Sequence, residues 1–358
     1  MTGLDLTRSS VELTQALCDR ESVSGNEAPL ADAIQAAVSA LPHLAVRRYG
    51  DTVVARTELG RASRVVIAGH IDTVPLNGNL PTRYLDEGGE RVLWGRGTVD
   101  MKAGVAVQLK LAAELTAPRH DVTWIWYDHE EVSDDLNGLN RLARQHPEEL
   151  LGDFAILGEP TIAGIEGGCN GNLRAEIRTF GRRAHSARGW VGVNAIHLAA
   201  PILDRLAAYE AASIEVDGLE YREGLNAVGI SGGVAGNVIP DECMVHVNYR
   251  FAPSRSAEEA VVHVREVFDG FDVRIVDLAA GARPGLDAAV ARDFVAAVGA
   301  VPRPKYGWTD VARFSGLGVP AVNYGPGDPL LAHADDERVP VAQIVAVEHG
   351  LRSWLSAR

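Results

Sequence analysis

Histidines and carboxylates recur along this chain wherever an apolar run gives way to a Gly- or Pro-punctuated loop. His70 and Asp72 stand in Gly69-His70-Ile71-Asp72-Thr73-Val74-Pro75, and Asp100 stands in Gly95-Arg96-Gly97-Thr98-Val99-Asp100-Met101-Lys102. Glu130 and Glu131 are adjacent, Glu159 lies in Gly158-Glu159-Pro160, and His333 lies in Ala332-His333-Ala334-Asp335. Imidazole nitrogen and carboxylate oxygen are the donors zinc takes, usually in fours, with one position left to water at a catalytic ion. A bridging Asp100 gives each of two ions three protein ligands: His70, Asp100 and Glu159 on one, Asp100, Glu131 and His333 on the other. Three carboxylates and a shared hydroxide then balance two divalent cations, and a near-neutral buried cluster is cheaper than a charged one. Cobalt or manganese suits the same donors. Asp72, two residues from His70, is placed to accept the second ring N–H of that histidine. Glu130, beside a ligand, is a free carboxylate suited to general-base work. An isolated H-x-D or E-E pair is common on surfaces; the ordered set at strand ends is what points to a metal site. His43, His120, His146, His263 and His349 read as solvated, and His246 as strand filler. There is no H-E-x-x-H helix, phosphate-binding loop or dinucleotide fingerprint.

Strands and helices alternate through the first part of the chain. Helices are expected over 10–20, over 26–41 with a cap at Asn26, over 101–115 and over 137–146. Strands are expected over 65–68, 122–127 and 154–157, with a hairpin over 46–58 turning at Gly50-Asp51. Residues 76–99 read as one long functional loop. After Gly168 the texture changes to alternating, half-buried strands (173–180, 228–232, 243–251, 272–277) with helices over 194–211 and 256–268. From Leu286 the α/β texture returns, with helices over 287–298 and 341–355 and a strand over 321–324. The expected fold class is α/β: residues 1–171 and 286–358 form a catalytic domain of mixed sheet flanked by helices, and residues 172–285 form an inserted α+β domain.

The 358-residue chain is comfortable for two domains, and its 46% hydrophobic and 23% charged content is ordinary for a globular protein. A net charge of −14 argues against nucleic acid as a partner. Three widely spaced cysteines, Cys18, Cys169 and Cys243, fit a reducing cytoplasm better than a disulfide framework. The N-terminal segment lacks the apolar core of a signal peptide, and no apolar run approaches the length of a membrane span.

The ordered motifs resemble the di-zinc metallopeptidase family of aminoacylases, carboxypeptidases and amino-acid deacylases. The resemblance spans the whole chain. It implies two Zn²⁺, a zinc-exopeptidase-like fold, an inserted domain that makes a homodimer and serves as a lid, and a cis Asp100–Met101 peptide. Further segments resemble the succinyl-diaminopimelate desuccinylases of the actinobacterial type: Glu166 to Arg174, Gly181 to Arg188, Gly236 to Asp241 and Trp308 to Phe314. By that resemblance His185 reaches the active site of the other subunit and stabilises an oxyanion, while Asn237 and Arg250 hold substrate carboxylates. In another branch of the family an arginine stands where this chain has Asn170, and Arg174, Arg182, Arg188 or Arg313 is left to substitute for it. The implied reaction is removal of the succinyl group from a small anionic N-acyl amino acid, N-succinyl-L,L-2,6-diaminopimelate, with Glu130 as base. Related deacylases of the acetylornithine type, carboxypeptidases and dipeptidases share the metal centre and differ in the pocket.

Overall fold

The computed structural model describes residues 3–356. The described residues divide into two compact units, one of residues 3–167, 284–303 and 310–356, the other of residues 168–283 and 304–309.

The first unit opens with helices α1 (Ser10–Cys18) and α2 (Ala28–Ser39). Ser9 caps α1 through a reciprocal pair with Glu12. Asn26 does not cap α2: the helix starts after Glu27 with Pro29 in its first turn, and no side chain caps it. Strands β1 (Ala45–Tyr49) and β2 (Thr52–Arg56) form the expected hairpin. β3 (Arg64–His70) ends on His70. Residues 76–99 are not one loop, because they contain the hairpin β4 (Arg83–Glu87) and β5 (Glu90–Trp94), which turns at Gly88 and Gly89 with φ of 63° and 87°. Val92 and Leu93, on opposite faces of β5, are both buried. Helix α3 (Lys102–Glu114) is buried along nearly its whole length. β6 (Asp121–Tyr127), α4 (Gly138–Gln145), β7 (Phe154–Leu157) and β8 (Glu166–Gly167) follow.

The second unit contains β9 (Gly171–Phe180), α5 (Ala195–Leu198), α6 (Ala200–Ala207), β10 (Ser213–Val216), β11 (Leu219–Arg222), β12 (Gly224–Gly232), β13 (Glu242–Phe251), α7 (Ala257–Val267) and β14 (Asp272–Ala279). Its sheet runs β12-β13-β9-β14, all antiparallel. Odd-numbered residues of β9 and β13, among them Leu173, Ile177, Val245 and Tyr249, face a core shared with Ala260 and Val264 of α7. The helix expected over 194–211 is two short ones, with Pro201 in the first turn of α6. The β10–β11 hairpin turns at Asp217-Gly218, a turn signal passed over in the sequence reading. Segment 304–309, assigned from sequence to the catalytic domain, bonds within this unit: Asn170 N–H donates to Lys305 O at 3.2 Å, and Trp308 Nε1–H to Ala280 O at 3.1 Å.

The chain returns to the first unit through α8 (Ala289–Val298), the two-residue β15 (Arg303–Pro304), α9 (Val311–Gly316), β16 (Ala321–Asn323), β17 (Arg338–Pro340) and α10 (Val341–Ser356). The main sheet is mixed, in the order β1-β2-β6-β3-β7-β16-β8-β15. β3, β6, β7 and β16 are parallel, with His70 opposite Tyr127, Ala68 opposite Leu157, and Leu157 opposite Asn323. β6 and β7 flank β3 on opposite sides, so their carboxyl ends border a topological switch point, where open α/β sheets place their sites. A Cβ on Gly104 of α3 would lie 2.3 Å from Gly158 O, so only glycine lets this helix approach the end of β7 so closely. Among the described residues no helix is long and apolar enough to cross a membrane.

Candidate metal centre

The carboxyl ends of the parallel strands deliver the chemistry. His70 is the last residue of β3; Glu130 and Glu131 follow β6; Glu159 follows β7. Asp100 precedes α3, and His333 comes from the segment between β16 and β17. His70 Nε2 lies 2.9 Å from Asp100 Oδ1, and His333 Nε2 lies 3.4 Å from Asp100 Oδ2 and 2.9 Å from Glu131 Oε2. Each oxygen of Asp100 therefore faces its own imidazole. The ligand atoms of His70, Asp100 and Glu131 lie within 4.8 Å of one another. Glu131 Oε1 is buried with no hydrogen-bond partner among the described residues. Oxygen and nitrogen donors on both sides of one carboxylate, with a buried oxygen left over, fit a pair of divalent cations. Glu159 is buried, and its charge reaches Glu130 and Tyr127, but it does not belong to the 4.8 Å group. The Asp100–Met101 peptide is cis.

The electrostatics follow from packing acids around imidazoles. Burial opposes the charge on His70, yet its hydrogen bonds with Asp100 and Asp72 hold its pKa well above the ordinary value. His333 is pushed up to about 10 by hydrogen bonds to Asp100 and Glu131. Burial works to raise Asp100, but its two histidine partners hold it down. Glu130 is raised well above the carboxylate range, first by burial and then by the nearby charges of Asp310, Glu159 and Glu131, against the pull of His70.

Asp72 does more than the sequence reading asked of it. His70 Nδ1 lies 3.1 Å from the main-chain oxygen of Asp72 and 3.5 Å from its carboxylate. The carboxylate instead accepts from the backbone N–H of Glu130 at 3.0 Å, from that of Glu131 at 3.1 Å and from Ser24 Oγ–H at 2.7 Å. It thus fixes the backbone that presents both glutamates. His129, left unassigned from sequence, turns that backbone with φ of 58° and lies 2.8 Å from Asp128 and 3.2 Å from Glu27. Glu337, which the sequence reading missed, accepts from the N–H groups of Val99 and Asp100 at 2.8 and 3.1 Å and pairs with Arg96 at 2.8 Å. His120 is not solvated: it is buried, stacks on Trp354 at 5.1 Å and hydrogen-bonds Ser63.

The remaining expected residues fall in two places. In the second unit, Ser186 N–H donates to Asn237 O at 2.9 Å and His185 pairs with Val238, which brings exposed His185 and Asn237 together. Arg250 lies elsewhere on that unit, opposite Asn172 in the sheet, with its guanidinium 3.2 Å from Asn248 Oδ1. Arg313, expected at the substrate, pairs in the first unit with Asp310 and Asp134.

A model of peptidase family M20/M25/M40 matches residues 66–356. The chain is 49% identical to the succinyl-diaminopimelate desuccinylase of Corynebacterium glutamicum over 365 residues, covering 99% of this chain and 98% of that one. It is 54% identical over 355 residues to a Mycobacterium tuberculosis protein assigned the same activity, covering 98% and 99% of the two chains. Among solved structures, a tripeptidase from Staphylococcus aureus superposes with a TM-score of 0.79 at 18% identity, covering 99% of this chain and 98% of that one. An M20 family metallo-carboxypeptidase from Sulfolobus solfataricus does so with a TM-score of 0.76 at 16% identity, covering 97% and 98%. The chain thus belongs to peptidase family M20/M25/M40.

Proposed function

We propose that this enzyme hydrolyses the succinyl amide of N-succinyl-L,L-2,6-diaminopimelate to succinate and L,L-diaminopimelate, in the cytoplasm. The observation that carries the reading is near-half identity with the C. glutamicum desuccinylase over essentially the full length of both chains. The acid and imidazole cluster around Asp100 supports it, because amide hydrolysis needs a polarised carbonyl and an acidified water. His70, Asp100, Glu131, Glu159 and His333 are the residues that would hold two Zn²⁺. When bound, the ions supply Lewis acidity toward the amide oxygen and lower the pKa of water.

Glu130 takes a proton from the attacking water as the new C–O bond forms. It returns that proton to the nitrogen as the C–N bond breaks, and the second proton of the water, left on the new carboxyl group, then passes to the amine, so the products are a carboxylate and an ammonium. Burial of Glu130 strengthens its hold on the proton between the two steps. The substrate carries three carboxylates and one ammonium, so it requires cationic anchors. Arg250 is suited to this: among the described residues no carboxylate lies within salt-bridge distance of its guanidinium, and a bidentate fork fits a carboxylate. Asn237 adds amide hydrogen bonds, and His185 stabilises the oxyanion of a neighbouring subunit in a homodimer.

The test is a panel of N-acyl amino acids with the zinc-loaded protein. N-succinyl-L,L-diaminopimelate is expected to give the highest kcat/KM. Preference for N-acetylornithine or a dipeptide reassigns the substrate within the same chemistry. Mixing His185→Ala with Glu130→Gln protein is expected to restore part of the activity; no restoration places His185 within its own chain's site.

A further inference from the structure

Asp310 stands at the start of α9, where an aspartate ordinarily accepts hydrogen bonds from its own helix. This one caps nothing. It is fully buried, and its carboxylate accepts from Tyr127 Oη–H at 2.8 Å, from Asn137 Nδ2–H at 3.1 Å and from the Arg313 guanidinium. Tyr127 is the last residue of β6, and Asn137 is the residue that caps α4 through the N–H groups of Leu139 and Asn140. Between them runs segment 128–136, which carries Glu130 and Glu131. Arg313 also reaches Asp134 inside that segment. Residues 132–136 are exposed, so apolar packing does little to hold the segment in place. One carboxylate ties its entrance and its exit, and the guanidinium beside that carboxylate ties its middle. Tyr127 also sits opposite His70 in the sheet, with its ring edge-on to the imidazole at 6.1 Å.

We propose that Asp310 is a positioning residue that holds segment 128–136, and with it Glu130 and Glu131, in the geometry the reaction needs. The inference rests on Glu130 as the base. Displacing a catalytic group by about 1 Å costs on the order of 100-fold in rate. In zinc-loaded full-length enzyme, Asp310→Asn is therefore expected to lower kcat about 100-fold with KM within about threefold, and Tyr127→Phe about 10-fold. Amide exchange is expected to quicken in 128–136 and to stay unchanged in the β9–β13 sheet. A merely structural role would instead lower the melting temperature, quicken exchange throughout the first unit and leave kcat per folded molecule unaltered. Unchanged exchange in 128–136, or kcat within twofold of wild type in the folded variants, overturns the proposal. Tyr127→Phe removes one hydroxyl without changing the ring, so it decides the matter if Asp310→Asn does not fold. Glu130→Gln serves as the separate control. It is expected to keep wild-type exchange in the segment and lose turnover; normal turnover there would remove Glu130 as base, while the exchange comparison still judges Asp310.

Discussion

Asp100 and Glu130 illustrate how neighbouring carboxylates take opposite characters. Asp100 meets an imidazole at each oxygen and stays ionised, whereas Glu130 is buried among like charges and holds its proton more tightly. Replacing Glu130 by Gln keeps the shape and removes the base. The variant is expected to retain its metal, measured by elemental analysis, and to lose kcat by about 10²–10⁴-fold. Asp72 acts through the backbone instead. Asp72→Ala leaves two N–H groups and a hydroxyl without their acceptor. Metal affinity, read by chelator competition, is expected to fall about 10–100-fold, because partners that orient ligands matter nearly as much as the ligands.

At the scale of elements, the β1–β2 hairpin is pinned by a single buried acid. Glu149 accepts from Arg47, Tyr49 and Arg56 while its own side chain is fully shielded from solvent. Burial works to raise its pKa, and those hydrogen bonds outweigh it and hold the pKa below the ordinary 4.5. A depressed carboxyl contributes stability above its unfolded value and loses it as pH falls through the folded value. Urea unfolding at neutral pH is expected to show Glu149→Gln destabilised by about 3 kcal/mol, the cost of breaking a buried pair. Below pH 4.5 the wild type is expected to lose stability more steeply than the variant, so the gap between them narrows. A gap that widens on acidification would contradict the assignment.

Across the whole molecule, the proposed ligands come from five separate stretches of one unit, so metal binding and folding of that unit are linked. Saturating metal at about 100 times its Kd adds about 2.7 kcal/mol. Removing it with a chelator is expected to lower the melting temperature by about 5–10 °C for a unit of this size, and adding zinc back is expected to restore it. Calorimetry that shows no shift would mean that the cluster does not load.

The donors proposed as ligands and base, and the change from α/β to α+β texture near Gly168, were visible in the sequence, because each depends on local residue types at strand ends or on short-range periodicity. The β4–β5 hairpin was hidden inside a loop rich in Gly, Asn and Pro, where the packing of Leu93 into a core built from distant residues marks a strand. Asp310 and Glu337 were not singled out as site residues, since Tyr127 and Val99, which donate to them, lie more than 170 positions away in the chain. Sequence alone determined which donors this protein has and in what order. Tertiary structure decided which backbone and side-chain groups hold them still, because a buried carboxylate must find its donors wherever the fold brings them.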